Sequence, residues 1–401
     1  MSTRAHSTAS APGSVLIAGG GIGGLSAALA LARSGIASHV LERRRLFGPD
    51  GAGIQIGPNG TKILAQLGLA GQLSSSAAVP EGIRIRDAGS GRQLGYLPLG
   101  HWISDRHGSP YWTLHRRDLH EALLAAAVAE PLITISNGTG VADAREERDR
   151  VVVTADDGRH WTGDALVAAD GVWSTLRSDV FAGMALAFTG KRAARAVIPA
   201  SSLPSGLSHN EVNIWLAPAA HVVHYPISAG REVALVAVFD GQQASADWST
   251  ACEPSWVQDQ ARSYALPLRD LLSVPPAWRA WSLQSLPRWP QFAHGRMALL
   301  GDAAHPVLPF LAQGGVLALE DAVVLADCLG EDGSGDVTER LEAYNRLRHR
   351  RARNVARASH FNGRIYHLSG LAAELRNRGF AMLPAERLMG GYDWLYGWAP
   401  P

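Results

Sequence analysis

Cysteine is almost missing: Cys252 and Cys328 are the two in 401 residues, far apart, with no C-x-x-C and no neighbouring ligand pattern. Neither a disulfide framework nor a zinc site is indicated. No run of about eighteen uninterrupted apolar residues occurs, so no membrane-spanning helix is expected. Residues 1–13 are rich in Ser, Thr and Ala but lack the apolar centre of a secretory signal. Charge of one sign is not in excess either, with 37 Lys+Arg against 36 Asp+Glu and a formal net charge of +1. No basic stretch is interleaved with aromatics, which argues against nucleic acid. Aromatics are few at 7%, whereas the hydrophobic share of 46% is ordinary for a soluble α/β enzyme. The expectation is a cytoplasmic monomer or homodimer with a short disordered tail over 1–13, no stable membrane association, and a small molecule as its partner.

Glycine, by contrast, is plentiful and placed. Val15-Leu16-Ile17-Ala18 is an apolar run of strand length, and it meets Gly19-Gly20-Gly21-Ile22-Gly23-Gly24, after which Leu25 to Ala32 has helical period. Gly19, Gly21 and Gly24 satisfy G-x-G-x-x-G: the first permits the tight turn, the second lets backbone approach a pyrophosphate, and the third lets helix pack closely on strand. Exposed N–H groups at the helix start favour phosphate. A second strand over 36–41 ends at Glu42, whose carboxylate can accept hydrogen bonds from ribose hydroxyls.

Arg43, Arg44 and Arg45 follow, mostly a solvated loop, with one of them free to neutralise a phosphate. The glycines from Gly51 to Gly57 suit a chain passing closely along a flat ligand. A helix is expected over 61–69, stopped at Gly68, then a β-hairpin over 82–99. His115-Arg116-Arg117-Asp118 opens the next helix with Asp118 as its N-cap. A buried strand over 165–169 ends in Asp170-Gly171, with Ser174 and Arg177 a helical turn beyond. Strand candidates at 196–198, 212–216, 221–225 and 233–239, with no helix between them, predict an antiparallel sheet, and the Pro- and Trp-rich 277–290 its connection back. Another buried strand ends in Gly301-Asp302, and Gly314-Gly315-Val316 starts a helix whose N-terminus attracts an electron-rich group. Residues 344–357 are a basic helix, ion-paired or solvated by default, and 388–398 an aromatic tail that packs on the core.

Gly19 to Gly24, Asp170-Gly171 and Gly301-Asp302, in this order and separation, resemble the three fingerprints of the single-component FAD-dependent aromatic hydroxylases (group A flavoprotein monooxygenases), a family that includes 4-hydroxybenzoate, salicylate and 3-hydroxybenzoate 6-hydroxylases. The likeness runs from Ser14 to about Trp398. Gly51-Ala52-Gly53-Ile54-Gln55, Pro110-Tyr111 with His115-Arg116, and His221-x-x-x-Tyr225-Pro226 resemble the salicylate and 3-hydroxybenzoate 6-hydroxylase branch most. The resemblance implies an α/β fold: a Rossmann-like FAD-binding unit (14–80, 101–180 and 286–360), an antiparallel substrate sheet (81–100 and 181–285) and a C-terminal helical tail (361–401). It implies FAD held by Gly19, Gly21, Ile22, Gly23, Gly24, Glu42, Arg43, Gln55, Arg116, Asp170, Arg177, Gly301, Asp302, Gly314, Gly315 and Val316. Within it, Glu42 binds the adenosine ribose, Arg116 contacts the flavin and Asp302 bonds the ribityl chain. Asp170 and Arg177 belong to the motif shared by FAD and transiently docked NAD(P)H, and no second dinucleotide fold is expected.

The implied chemistry is flavin chemistry shaped by protein: reduced FAD and O2 form a C4a-hydroperoxide, whose distal oxygen goes as an electrophile to an activated ring. A phenol reacts better as phenolate, so a general base is useful, and His221 and Tyr225 are the candidates. In an extended strand they share one face roughly 13 Å apart, while His224 faces the other way. The pocket would add Pro309 and Phe310, which stand where 3-hydroxybenzoate 6-hydroxylases carry a glutamine and hydroxynicotinate enzymes, just after it, a histidine. That removes a polar substrate partner and leaves salicylate-like or more apolar phenols. Two rivals are a flavin epoxidase or quinone-type oxidoreductase on the same scaffold, and a flavin-bound interaction protein recruiting a partner through Arg346 to Arg357. No metal is expected.

Overall fold

The computed structural model describes residues 13–400 apart from 47, 49–51, 180, 182–184, 243–249 and 331–334. The expected tail therefore lies, save for Gly13, outside the described residues, as does Gly51.

The dinucleotide unit is a six-stranded sheet. Ser14–Ala18 runs at its middle, parallel to Ala37–Glu42 on one side and Ala165–Ala168 on the other. Ile133–Asn137 and Met297–Leu299 extend it in parallel, and Ala293–His294 is the antiparallel edge. Val15, Ile17, Val40 and Val167 are fully buried, as a parallel sheet covered on both faces requires. Helices Ile22–Arg33 and Gly314–Leu329 pack against each other over this core. Three adjacent parallel strands thus end, at their carboxyl ends, in Gly19, Asp170-Gly171 and Gly301-Asp302. Glycine features separated by more than a hundred residues meet on one edge, beside the point where strand order reverses, which is where doubly wound sheets bind ligands.

The second sheet has eight strands in the order Thr250–Cys252, Trp278–Ser285, Ala187–Pro199, Glu232–Asp240, Ala220–Ile227, Val212–Ala217, Gly82–Asp87 and Gln93–Pro98. All neighbours are antiparallel except Val212–Ala217 with Gly82–Asp87, which run parallel where the earlier hairpin joins the sheet. The stretch expected as a connector, 277–290, contains a full strand: Trp278, Ala280 and Ser282 point inward, Arg279 outward, and the prolines flank the ends.

Two further expectations change. His115, not Asp118, caps the helix Arg116–Ala129: its Nδ1 accepts the Arg117 N–H at 3.2 Å, and Asp118 lies in the first turn. The basic stretch belongs to a thirty-residue helix, Val337–Tyr366, opened by an Asp336–Glu339 capping box. It passes unbroken through 360, where a domain boundary was expected, because Val355, Ala356, Ser359, Asn362 and Gly363 keep its inner face buried. Beyond it, Gly370–Met382 and Ala385–Gly390 fold back beside Gln93–Pro98, and Asp393–Tyr396 packs on the helix Pro58–Gln66; Met389, Leu395 and Tyr396 are buried, as the aromatic tail predicted.

Candidate active site

At the first glycine turn, the protein itself rules out side chains at two positions and leaves the third to a ligand. Gly19 has φ +108°, and a Cβ there would lie 2.5 Å from the Ala169 carbonyl oxygen. At Gly24 a Cβ would run into the Gly19 carbonyl oxygen, whereas at Gly21 it would meet nothing within 4 Å. Gly23 faces Leu300, 2.7 Å from where its Cβ would stand. The open space over Gly21 belongs to a cavity of about 350 Å³.

Glu42 closes the far side of the turn. Its Oε2 accepts the Gly20 N–H at 2.7 Å, and Oε1 accepts both the backbone N–H and the Nε of Arg44 at 2.8 Å. Burial pushes this carboxyl up, but the Arg44 hydrogen bonds and charge, with Gly20, outweigh it and hold the pKa below its ordinary value. Arg44 is therefore the arginine at the acid. Arg43 is exposed and lies beside Gly140.

Gly21, Ile22, Gly23, Arg116, Gly301 and Asp302 line one end of the cavity, together with Gly314 and Gly315. Arg116 stays accessible because it projects into this space, although protein surrounds it on nearly every side; desolvation lowers its pKa and Asp302 opposes the shift. Burial raises the pKa of Asp302 in turn, against the pull of His305 and Arg116. The helix Gly314–Leu329 starts here without a side-chain cap, so its first N–H groups are left for an acceptor. Val316 is fully buried behind them, against Gly60. Asp170 and Arg177 stand back from the cavity. Arg177 donates to the carbonyls of Ala303 at 3.0 Å and Val172 at 2.8 Å, tying the second glycine feature to the third. Burial pushes the Asp170 carboxyl up, and its Oδ1 has no hydrogen-bond partner among the described residues.

A buried polar cluster that sequence reasoning missed fixes the third feature. Asp321 accepts from the Gly301 N–H at 2.9 Å, from His305 Nε2 at 2.5 Å and from Arg348 Nε at 2.6 Å. Burial alone would raise its pKa; His305 and Arg348 instead hold it at about 2. Glu320 accepts from Arg348 at 2.9 Å, from Arg351 at 2.9 Å and from Asn59 at 2.8 Å. Glu320-Asp321 inside an apolar helical run was the available signal, since two carboxylates there require partners. Arg348 and Arg351, two members of the basic stretch, are spent inside the molecule.

The opposite end of the cavity is the eight-stranded sheet, through Arg195, His221, Tyr225, Val236, Val238 and Trp281. His221 and Tyr225 do share a face of the strand Ala220–Ile227, and His224 stacks on Trp215 on the other. His221 is 3% exposed. Its Nδ1 lies 2.8 Å from Nε2 of His367, a residue no sequence pattern singled out because it follows the end of the long helix. Burial drives the His221 pKa well below its usual value, with the His367 charge adding to it, and lowers that of His367 to about 4. Burial raises the pKa of Tyr225, against a hydrogen bond to Gln55. Gln55 Oε1 also accepts from the Tyr111 hydroxyl at 2.7 Å. Pro309 lines the cavity, and the Phe310 ring stands edge-on to His221 at 5.4 Å between centroids.

The cavity thus has a phosphate-compatible, glycine-built end that carries Arg116 and Asp302, and a buried histidine–tyrosine end. Residues 13–359 match the family described as FAD binding domain. The chain is 34% identical to 3-hydroxybenzoate 6-hydroxylase of Klebsiella oxytoca over 96% of both chains. It is 36% identical to a 3-amino-4-hydroxybenzoate 2-monooxygenase of Streptomyces platensis, over 96% of this chain and 95% of the other. Among solved structures, a variant of Klebsiella pneumoniae HpxO complexed with FAD superposes with a TM-score of 0.84 at 26% identity, covering 96% of this chain and 98% of that one. A salicylate hydroxylase substrate complex shares the fold, with a TM-score of 0.82 at 24% identity over 97% and 96% of the two chains. The protein belongs to the family of FAD-dependent aromatic hydroxylases.

Proposed function

We propose that this chain hydroxylates a phenolic ring of hydroxybenzoate or salicylate type at its reacting end, using NAD(P)H and O2, as a cytoplasmic monomer or homodimer. The observation that carries the reading is the single cavity that joins the glycine-built cradle to His221 and Tyr225. When bound, FAD supplies the redox chemistry, moving electrons from NAD(P)H to O2 and delivering an electrophilic oxygen to the ring. The cradle fits it: open space at Gly21 for a pyrophosphate, the Glu42 carboxylate for ribose hydroxyls, Asp302 for the ribityl chain, and the helix start at Gly314-Gly315 with Arg116 for the polar edge of the flavin.

The protein's own part is to bind the ring, exclude water and move one proton. With the Nδ1–H of His221 donated to His367 Nε2, His221 Nε2 carries the lone pair and takes the phenol proton. A pKa far below its usual value keeps His221 neutral at physiological pH and makes it a transient carrier: as Nε2 takes the phenol proton, Nδ1 gives its own to His367, which, with a pKa lowered to about 4, passes it on to solvent rather than holding it. Tyr225, held by Gln55, stays protonated and donates. Arg195, over the Trp281 ring at 5.3 Å, brings positive charge to the same wall.

FAD-reconstituted protein mixed with a panel of hydroxybenzoates and simple phenols tests the reading. Substrate-stimulated NAD(P)H oxidation with a hydroxylated product supports it; a flavin-loaded protein that oxidises NAD(P)H at the same rate with and without every phenol overturns it.

A further inference from the structure

A second, larger cavity of about 490 Å³ lies beside the first, and the two share Gln55, His221, Val223, Pro309 and Ala312 as a common wall. Its far walls are apolar side chains of the hairpin, among them Ile83, Ile85 and Leu97, and of the C-terminal helices, among them Phe380, Leu388 and Met389. It reaches the surface at Phe361 and Leu383, which are 63% and 45% exposed.

Its polar groups are nearly all committed. The Tyr111 hydroxyl donates to Gln55, and Asn362 donates to the Tyr392 hydroxyl at 3.3 Å. Arg376 is the one Lys or Arg among the described lining residues, and its guanidinium donates to the carbonyls of Ile365 at 2.9 Å and Tyr366 at 3.0 Å and to Asn377. No uncommitted cation therefore awaits a carboxylate. Two further hydroxyls line the cavity: Tyr366, with Asn362 beside it, and Tyr396, which is 5% exposed. An occupant matched to this chamber is uncharged and largely apolar, with few hydrogen-bonding groups. With the flavin edge and the reacting ring assigned to the first cavity, the partition between the two holds Gln55 and His221 as polar groups beside the apolar Val223, Pro309 and Ala312.

We propose that this chamber receives an apolar substituent, an alkyl chain or second ring, of a phenol whose reacting ring stands at His221. This assignment rests on the proposed hydroxylation and narrows it from bare hydroxybenzoates to extended phenols.

Calorimetry with phenol, 3- and 4-pentylphenol, and pentylbenzene tests it on the apoprotein and on the oxidised holoenzyme, without NAD(P)H. The better pentylphenol is expected to bind about 100-fold tighter than phenol, below the ceiling set by burying a chain of five carbons. Pentylbenzene, lacking the hydroxyl, should fall well behind. Gly379 lines the chamber, and a Cβ there meets nothing within 4 Å, so Gly379→Phe fills the space without straining the fold. It should bring pentylphenol to within about threefold of phenol and leave phenol's own Kd unchanged. If that variant does not fold, Ala372→Trp, at an exposed lining position, makes the same comparison. Equal binding of phenol and pentylphenol, equal binding of pentylphenol and pentylbenzene, or a proportionate loss for both phenols in the variant overturns the assignment. Should no phenol of any size stimulate NAD(P)H oxidation, the hydroxylation falls, whatever the binding ratios are.

Discussion

The two walls of the first cavity are built on opposite principles. On the six-stranded side, the ligand-facing surface is backbone: Gly21, Gly314 and Gly315 have no side chains, and the fixed partners are N–H groups at helix starts. On the eight-stranded side it is side chains held by other side chains, His221 by His367 and Tyr225 by Gln55. A backbone wall tolerates almost no substitution but needs no partner from elsewhere. A side-chain wall can be remodelled, and each member depends on a distant one.

Within the backbone wall, the difference between Gly24 and Gly21 gives the largest effects. Gly24→Val places a branched side chain against the Gly19 carbonyl, so no flavin-loaded protein should be recovered by absorbance at purification. Gly21→Ala meets no protein atom, so thermal unfolding should stay within about 0.5 kcal/mol of wild type while FAD affinity, measured by flavin fluorescence, drops at least tenfold. Equal loss of stability in both would erase the distinction. In the side-chain wall, His221→Gln should cut hydroxylation by roughly 10²–10⁴ at unchanged flavin content, and a variant that keeps wild-type turnover removes His221 as the base.

Behind the backbone wall, Arg348→Met strands Glu320 and Asp321 without their shared cation. A loss of about 3–5 kcal/mol in urea unfolding is expected, and a loss under 1 kcal/mol would mean that Arg351 and His305 suffice. The two walls also differ in acid. His367 has a folded pKa depressed to about 4, so the unfolded chain binds protons first and stability falls as pH drops from about 6.5 towards 4. Asp321, depressed to about 2, keeps its contribution through that window and loses it only below the ordinary Asp range. His221 and His224, also depressed, act over the same window, so His367→Gln should make the pH 6.5–4 decline in tryptophan-monitored stability shallower without abolishing it, and leave the collapse below pH 4 in place. The smallest effect belongs to Arg43→Ala, which should leave FAD affinity within about twofold, the exposed-charge limit. Arg44→Ala should weaken it more.

The same contrast explains what the chain made legible. Gly19, Gly24 and Glu42 were readable because a turn, a close contact and a strand-end acid impose local spacing. Their convergence with Asp170-Gly171 and Gly301-Asp302 followed from strand-end placement. The face shared by His221 and Tyr225 followed from the period of two along a strand. His367 and the Gln55 bridge were not readable, since each acquires its meaning from a residue far along the chain, and no spacing rule spans that distance; Glu320-Asp321 signalled buried carboxylates, but not which partners would meet them. The strand Trp278–Ser285 was obscured by the prolines at its borders, and the cap at His115 by a better-known capping residue three positions on.

Arg351 donates not only to Glu320 but also to the carbonyls of Trp394 at 3.0 Å and Leu395 at 3.0 Å. The guanidinium that braces the Gly301 loop through Glu320 is thus bonded to the same short segment whose Tyr396 lines the second chamber. Displacing residues 393–396 leaves Arg351 short of two acceptors. The two cavities are in this way coupled mechanically through a single side chain.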